Sequence, residues 1–325
     1  MTITDFELPP ALEATAPREP RDAVRLLVSR TASGAISHHR FGELPGVLRP
    51  GDLLVVNNSG TLPAAIRLGG GLAVHFSTPL PDGAWLVEFR DHNAGITPPA
   101  HLRLPGGAML TRLERFSTRL WRARLSVAVV PYLLRYGTPI RYSYVDKDWG
   151  LPAYQTVFAR VPGSAEMPSA ARPFTPEIVT ELAVGGVLIA PVTLHCGVSS
   201  LESGEDPYPE PYDVPPATAR LVNYVRAAGG RVIAAGTTVV RALESVSDEA
   251  GLVRPAAGWT SHVVTPDTGV RVVDGLLTGL HEPRSSHLRM LAAFLGPDLM
   301  GRVYDEAIRS GYLWHEFGDV HLALP

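Results

Sequence analysis

Four short loops carry the residue types that chemistry needs, and each follows an apolar run. Asn57-Asn58-Ser59-Gly60 is a turn-rich exit from Leu53-Leu54-Val55-Val56, and such a strand end is a common ligand loop. Thr193-Leu194-His195-Cys196-Gly197 follows a second apolar run, and Leu277-Thr278-Gly279-Leu280-His281-Glu282-Pro283 leads into Ser285-Ser286. Gly236-Thr237-Thr238 sits ahead of Arg241 and Glu244. Backbone N–H groups at Gly236–Thr238 suit a carboxylate or phosphate; the plainer alternative is a tight turn whose Thr caps a helix. Arg241 and Glu244, three apart, either pair on a helix face or reach a ligand. His195 and His281 are candidate general bases, and each is equally readable as a satisfied structural histidine. Neither shows the His-x-x-x-His spacing of a helical zinc site, so no metal is expected. Cys196 beside His195 reads as a nucleophile and base, but neighbours on a strand point to opposite faces, which argues against that pairing. No Walker loop, GxGxxG or GxSxG elbow is present.

The elements that would hold these loops are mostly α/β. Arg25–Ser29 and Asp52–Asn57 read as strands. Beyond Tyr154, helices and strands alternate: a helix starting at Thr175-Pro176 and stopping at Gly185-Gly186, a strand at Val187–Leu194 with Pro191 arguing for an edge or bulge, a helix from Pro216 ending at Gly229-Gly230, a strand at Arg231–Ala235, and a helix after Thr238. Two helices over Ser285–Phe294 and Asp298–Ser310 and a strand after Asp319 complete this half. Between them, short alternating runs such as Leu72–Phe76, Trp85–Phe89, His101–Leu104 and Trp121–Leu125 are separated by turns, and no helix is expected there. The expected fold is an α/β main domain, 1–65 and 150–325, with an inserted all-β, barrel-like domain over 66–149.

Composition bounds the rest. The chain has 325 residues, 45% apolar and 19% charged, enough for a sizeable core and against disorder. Its formal net charge of -3 gives no global field to attract nucleic acid. One cysteine excludes an internal disulfide. No run approaches the ~20 apolar residues of a membrane span. Met1–Pro20 lacks a basic segment followed by an apolar one, so a cytoplasmic protein is expected.

The ordered motifs resemble a known family. Gly51–Asn58 resembles the GDLLV-x-NN motif of the S-adenosylmethionine:tRNA ribosyltransferase-isomerases of queuosine biosynthesis. Tyr154–Phe158 resembles their YQTVY, Thr193–Gly197 their TLHVG, Gly236–Ser245 their GTTSVRALES, and Gly318-Asp319 their GDA. The order holds along essentially the whole chain. The resemblance implies a reaction in which S-adenosylmethionine, a substrate and not a cofactor, donates its ribosyl group to an aminomethyl-deazaguanine in tRNA. The sulfonium acidifies the 5′ carbon, a base removes that proton, adenine and methionine leave, and the acceptor amine captures the rearranged sugar. It also implies His195, His281 and Asp319 as catalytic candidates. Asn57, Asn58, Ser169, Thr193, Glu210, Gly236, Thr237, Thr238, Arg241 and Thr278 are the implied binding residues, with Arg241 on the methionyl carboxylate.

Several positions depart from the family pattern. APTAGLHF appears as Met167–Phe174, with Pro173 where the family has His and Ala171 where it has Gly. Gly60 replaces an Arg. The segment after Gly197, Ser199-Ser200-Leu201-Glu202 onward, is shorter, and only Glu210 matches the MHSE acid. Thr278–Pro283 keeps the His and Pro of TNFHLP. Two further readings therefore stand beside the family reaction: a relative that uses S-adenosylmethionine on a small-molecule acceptor or rearranges it without tRNA, and a non-catalytic binding protein. Affinity for tRNA is expected to be weak and to come from a small basic stripe at Arg122 and Arg124.

Overall fold

The computed structural model describes residues 6–90, 98–198 and 208–325. Strand β1 (Arg25–Arg30) turns back into β2 (Ile36–Arg40), and a short helix α1 (Leu44–Val47) leads to β3 (Leu53–Asn57). Gly51, at φ +87°, takes the left-handed turn that starts β3, whose five residues are all buried. After β4 (Ser59–Thr61) come the six strands of the middle region: β5 (Ala65–Arg67), β6 (Ala73–Pro79), β7 (Trp85–Arg90), β8 (His101–Arg103), β9 (Met109–Arg115) and β10 (Leu120–Leu125). Helix α2 (Val129–Tyr136) and β11 (Val161–Ser164) lead back.

The rest alternates as expected: α3 (Pro176–Val184), β12 (Leu188–Leu194), β13 (Glu210–Val214), α4 (Pro216–Ala227), β14 (Val232–Ala235), α5 (Thr237–Ser245), β15 (Ala256–Thr260), β16 (Gly275–Gly279), α6 (Ser286–Arg309) and β17 (Val320–Leu324). Thr175 caps α3, its side chain accepting from the Ile178 N–H at 3.3 Å. Helix α6 breaks at Gly296 (φ +66°) before Pro297, so the two expected helices form one kinked element.

Nine strands form one mixed sheet in the order β15-β13-β12-β3-β14-β16-β17-β1-β2. Its centre, β12-β3-β14-β16, is parallel. Alternate side chains feed two cores. Leu53, Val55, Val232 and Ala234 pack beneath α4, α5 and α6, while Leu54, Val56, Ile233 and Ala235 pack against α1 and α3. Both faces are covered, which is why these strands read as continuous apolar runs. Pro191 pairs with Val56 of β3, but β13 reaches only Thr193 and Leu194, so around Pro191 the strand has a neighbour on one side only.

The middle region is a six-stranded antiparallel sheet, β5-β6-β7-β10-β9-β8. Two expectations need correction here. The sheet is open, with β5 and β8 as edges among the described residues, so no closed barrel forms. And α2 interrupts it: Val129, Tyr132 and Leu133 recur at helical spacing and are buried against the sheet's core. Pro131 is no obstacle to this helix, because it lies in the first turn, where no intrahelical N–H is lost. Among the described residues no helix is long and apolar enough to cross a membrane.

Glu88 on β7 is buried beside Arg119 (2.9 Å), Arg90 (2.8 Å) and His75 (3.4 Å). Burial alone raises its carboxyl, but His75, Arg119 and Arg90 outweigh that and hold it at about 2. The folded-state value lies below the ordinary one, so the stabilisation is full above the ordinary carboxylate range and is lost as pH falls towards 2, about 3 kcal/mol in all. Glu88→Gln should therefore be less stable than the parent at neutral pH, with the gap closing on acidification. Urea midpoints compared between pH 6 and 2.5 check this; a gap independent of pH would refute it.

Candidate active site

The C-terminal ends of the parallel strands β12, β14 and β16 open onto a cleft of about 390 Å³, closed on its far side by β6 and the segment 139–144. Ligand crevices of α/β sheets lie at such strand ends. Gly236 has φ +108°, a conformation that excludes side chains, and its N–H bonds the Leu277 carbonyl at 2.8 Å. This aims the first turn of α5, Thr237 and Thr238, into the cleft. Asn57 supports that turn from beneath. Its amide donates to the Leu194 carbonyl (2.8 Å) and Thr238 Oγ1 (3.2 Å), and its oxygen accepts from the N–H groups of Ser59 (3.0 Å) and Leu194 (3.1 Å).

Gly197 is held by the antiparallel sheet. A Cβ there would lie 2.7 Å from Ser77 Oγ and Thr78 Oγ1. The Gly197 N–H donates to Glu210 Oε1 at 2.8 Å, and Glu210 Oε2 pairs with Arg241 Nη1. Arg241 is 6% exposed, and its other nitrogens donate to the carbonyls of His262 (3.1 Å) and Thr260 (3.2 Å). Glu244 takes neither of the expected roles: its carboxylate accepts from Arg271, Val272 and Val273 N–H groups and ties a loop.

On the third loop, His281 Nε2 lies 2.7 Å from Thr278 Oγ1, and its ring stacks on His287 (4.4 Å, 5°). Burial, with His287, His321 and His315 nearby, pushes His281 well below the ordinary histidine value; burial also takes His287 to about 4. Both imidazoles are neutral at neutral pH.

Of the expected site residues, Ser169, Glu210, Gly236, Thr237, Thr238, Arg241, Thr278 and His281 line the cleft. The others lie elsewhere. His195 points away from it: Nδ1 meets Ser59 Oγ at 2.7 Å and the ring packs on Gly163. Cys196, on the opposite face, lines the cleft, and burial pushes its thiol well up, so the two form no nucleophile–base pair. Asn57 is fully buried, and Thr193 Oγ1 donates to Asn58 Oδ1 at 2.7 Å, so these three support the loops. Asp319 is 1% exposed, with Arg25 N–H (2.7 Å), the Arg25 guanidinium (3.0 Å) and the Leu313 N–H (2.8 Å) on its oxygens. It ties β1 to the segment before β17 and is not among the residues that line the cleft. The basic stripe is neutralised: Arg122 pairs with Asp82 and Glu114, and Arg124 with Asp82. Ser199, Ser200, Leu201 and Glu202 lie outside the described residues.

Sequence reasoning missed an aromatic and acidic wall. Tyr142, Tyr144, Tyr154, Glu166, His315 and Glu316 all line the cleft. Tyr142 donates to Glu166 and Tyr144 to Glu316. Their one signal in the sequence is position: Tyr142 and Tyr144 alternate just before the Tyr154 motif, and His315-Glu316 immediately precede Phe317-Gly318-Asp319. Among the described residues no cluster of His, Cys, Asp and Glu could hold a metal ion.

This architecture has relatives along its whole length. A protein of Symbiobacterium thermophilum, named S-adenosylmethionine:tRNA ribosyltransferase-isomerase, is 37% identical over 336 residues, covering 98% of both chains. One of the same name from Thermus thermophilus is 36% identical over 340 residues, again covering 98% of each. The crystal structure of S-adenosylmethionine tRNA ribosyltransferase from Thermotoga maritima superposes with a TM-score of 0.59 at 30% identity, covering 99% of this chain and all of that one. A family described as queuosine biosynthesis protein matches residues 2–323. A match that spans both the nine-stranded sheet and the region between β5 and β10 leaves one assignment: the chain belongs to the queuosine biosynthesis protein family.

Proposed function

We propose that this protein is an S-adenosylmethionine:tRNA ribosyltransferase-isomerase, and that the cleft at the ends of β12, β14 and β16 is its active site. The observation that carries the reading is the placement of Gly236–Thr238, Thr278 and His281 on one wall of a single cleft, in a chain similar end to end to enzymes of that name. In this reading the α5 N-terminus and its threonines hold polar groups of S-adenosylmethionine. His281, neutral at neutral pH, takes the proton from the carbon next to the sulfonium. Loss of adenine and methionine follows, and an amine on the acceptor captures the rearranged sugar. Arg241, already paired with Glu210, shapes the site by fixing Gly197 and α5, and takes no direct part as a carboxylate anchor. Asp319, His195, Asn57, Asn58 and Thr193 act through the loops they brace.

The wider reading follows from this. S-adenosylmethionine is consumed as a substrate and no resident cofactor is needed. The partner is tRNA, and the enzyme works in the cytoplasm in this reading. The chain divides into an α/β domain, 1–65 with 150–325, and an inserted β domain, 66–149, whose apolar cluster is distinct from that under α4, α5 and α6 and also takes in Leu62, Ala64, Ala65, Ala165 and Val198 of the flanking chain. With Arg122 and Arg124 paired to acids, tRNA phosphates are met on a different face. The test is incubation with S-adenosylmethionine and tRNA carrying the aminomethyl-deazaguanine, followed by mass spectrometry. Adenine, methionine and a sugar-modified tRNA nucleoside in equal amounts are expected. Adenine released equally without tRNA, or no adenine at all, would overturn the reading.

A further inference from the structure

His281 and His287 are near neighbours in the chain, yet their rings lie face to face, with centroids 4.4 Å apart and planes at 5°. Regular structure would not bring them together. Along a strand they would stand roughly 20 Å apart, and on one helix they would point to different faces. The chain doubles back between them instead. It leaves β16, turns at Pro283 and Arg284, and enters α6 at Ser286. Arg284 holds φ +62°, a conformation a non-glycine residue keeps only where its surroundings impose it, and such residues gather at functional sites. The Ser285 N–H closes the turn on the Glu282 carbonyl at 3.3 Å, and the Leu288 N–H reaches that of Ser285 at 3.1 Å. His287 thereby sits in the first turn of α6, half-buried, with its side chain on the cleft.

Two contacts define the His281 ring. Thr278 Oγ1 meets its edge at Nε2, 2.7 Å away. One hydrogen bond fixes a point on a ring and leaves the ring free to tilt about that point. His287 covers one face and removes this freedom. A covered face is also closed to water, and water is what favours an imidazolium. The other titratable groups about the pair are His321 on β17, His315 and Tyr304, with Arg241 near His287. Tyr304 bonds the His281 backbone, and among the described residues only His287 stacks on the His281 ring.

We propose that His287 is a positioning residue for His281: its ring, laid flat on that imidazole, fixes the plane and closes one face to water, so that Thr278 holds the proton on Nε2 and the Nδ1 lone pair is kept for the substrate. The inference rests on the function proposed above, in which His281 is the base.

The test is ¹⁵N NMR of the whole protein labelled at histidine, with the His281 signals assigned by their loss in His281→Ala. It reads tautomer and titration midpoint, and neither needs turnover. In the parent, His281 should be a single tautomer with its proton on Nε2, titrating well below the ordinary histidine value. His287→Ala should mix the two tautomers and, by admitting water to the ring, move the midpoint up by about one pH unit. His287→Phe keeps a flat ring that cannot titrate and should hold both properties near the parent's; it serves as the readout if His287→Ala fails to fold. In turnover with S-adenosylmethionine and tRNA carrying the aminomethyl-deazaguanine, His287→Ala should lower kcat about 10-fold with KM for S-adenosylmethionine within about 2-fold, and His287→Phe should restore most of the loss. A His287→Ala protein whose tautomer and midpoint match the parent's would overturn the proposal, as would a His287→Phe protein as altered as His287→Ala. A parent that gives the expected spectra yet releases no adenine with tRNA would refute the function and leave the pairing of the two rings standing.

Discussion

His281→Ala is expected to lower kcat by about 10²–10⁴-fold, the range for removal of a general base. The fold should survive the change. Two contacts that fix this turn run through its backbone and outlast the substitution: Trp314 Nε1 donates to the His281 carbonyl at 3.0 Å, and the His281 N–H reaches the Tyr304 hydroxyl at 3.3 Å. To act as a base, the ring carries its proton on Nε2, donated to Thr278 Oγ1, and keeps the Nδ1 lone pair. The pH dependence gives a second readout. Burial and the neighbouring imidazoles hold His281 well below the ordinary histidine value, so it is already neutral at pH 7. Activity should stay level as pH falls through the ordinary histidine range and drop only when His281 protonates below it. A kcat loss under 10-fold, or an acid limb centred at the unperturbed histidine value, would remove His281 from the chemistry.

The parallel core was legible because β3 and β14 are buried on both faces, and burial on both faces writes continuous apolar runs into a sequence; β12 keeps an apolar run although Leu188 and Ile189 are half-buried and Pro191 is exposed. Helix starts and stops were legible where Thr175, Pro176, Gly185 and Gly229 supply local reasons for them. The loops at Gly236–Thr238 and Thr278–His281 were legible for the same cause, since each is a short polar segment between two readable elements. The place of Asp319 was not legible because a motif letter records that a residue type is needed and is silent on why: this carboxylate accepts from Arg25 and Leu313. His195 misled likewise, since its place at a strand end fits a base and the alternation along β12 turns it towards Ser59. The wall at Tyr142, Tyr144, His315 and Glu316 was invisible for a different reason. Its members come from segments some 170 residues apart that meet only after folding, Tyr144 and Glu316 being separated by 172 positions, and neither segment looks like a site alone.

Arg241 separates a reading of motifs from a reading of geometry. As a carboxylate anchor, its replacement would weaken S-adenosylmethionine binding and leave stability untouched. The structure instead pairs its guanidinium with Glu210, seals both in the wall of the cleft and ties Glu210 to the Gly197 N–H. Arg241→Ala is therefore expected to lower the unfolding free energy by about 3–5 kcal/mol, because a buried pair that loses one member leaves the other's charge without compensation. Glu210→Gln should cost a comparable amount from the other side. The double variant Arg241→Ala, Glu210→Gln buries no unpaired charge, so its loss should fall short of the two single losses added together, by on the order of 0.5–3 kcal/mol. Urea unfolding of the four proteins measures this coupling. Strict additivity, or an Arg241→Ala variant that keeps its stability and loses only S-adenosylmethionine affinity, would return the guanidinium to the ligand. If the coupling is found, the ordering of Gly197 and the first turn of α5 depends on this pair, and Arg241→Ala would impair catalysis without a single lost contact to the substrate.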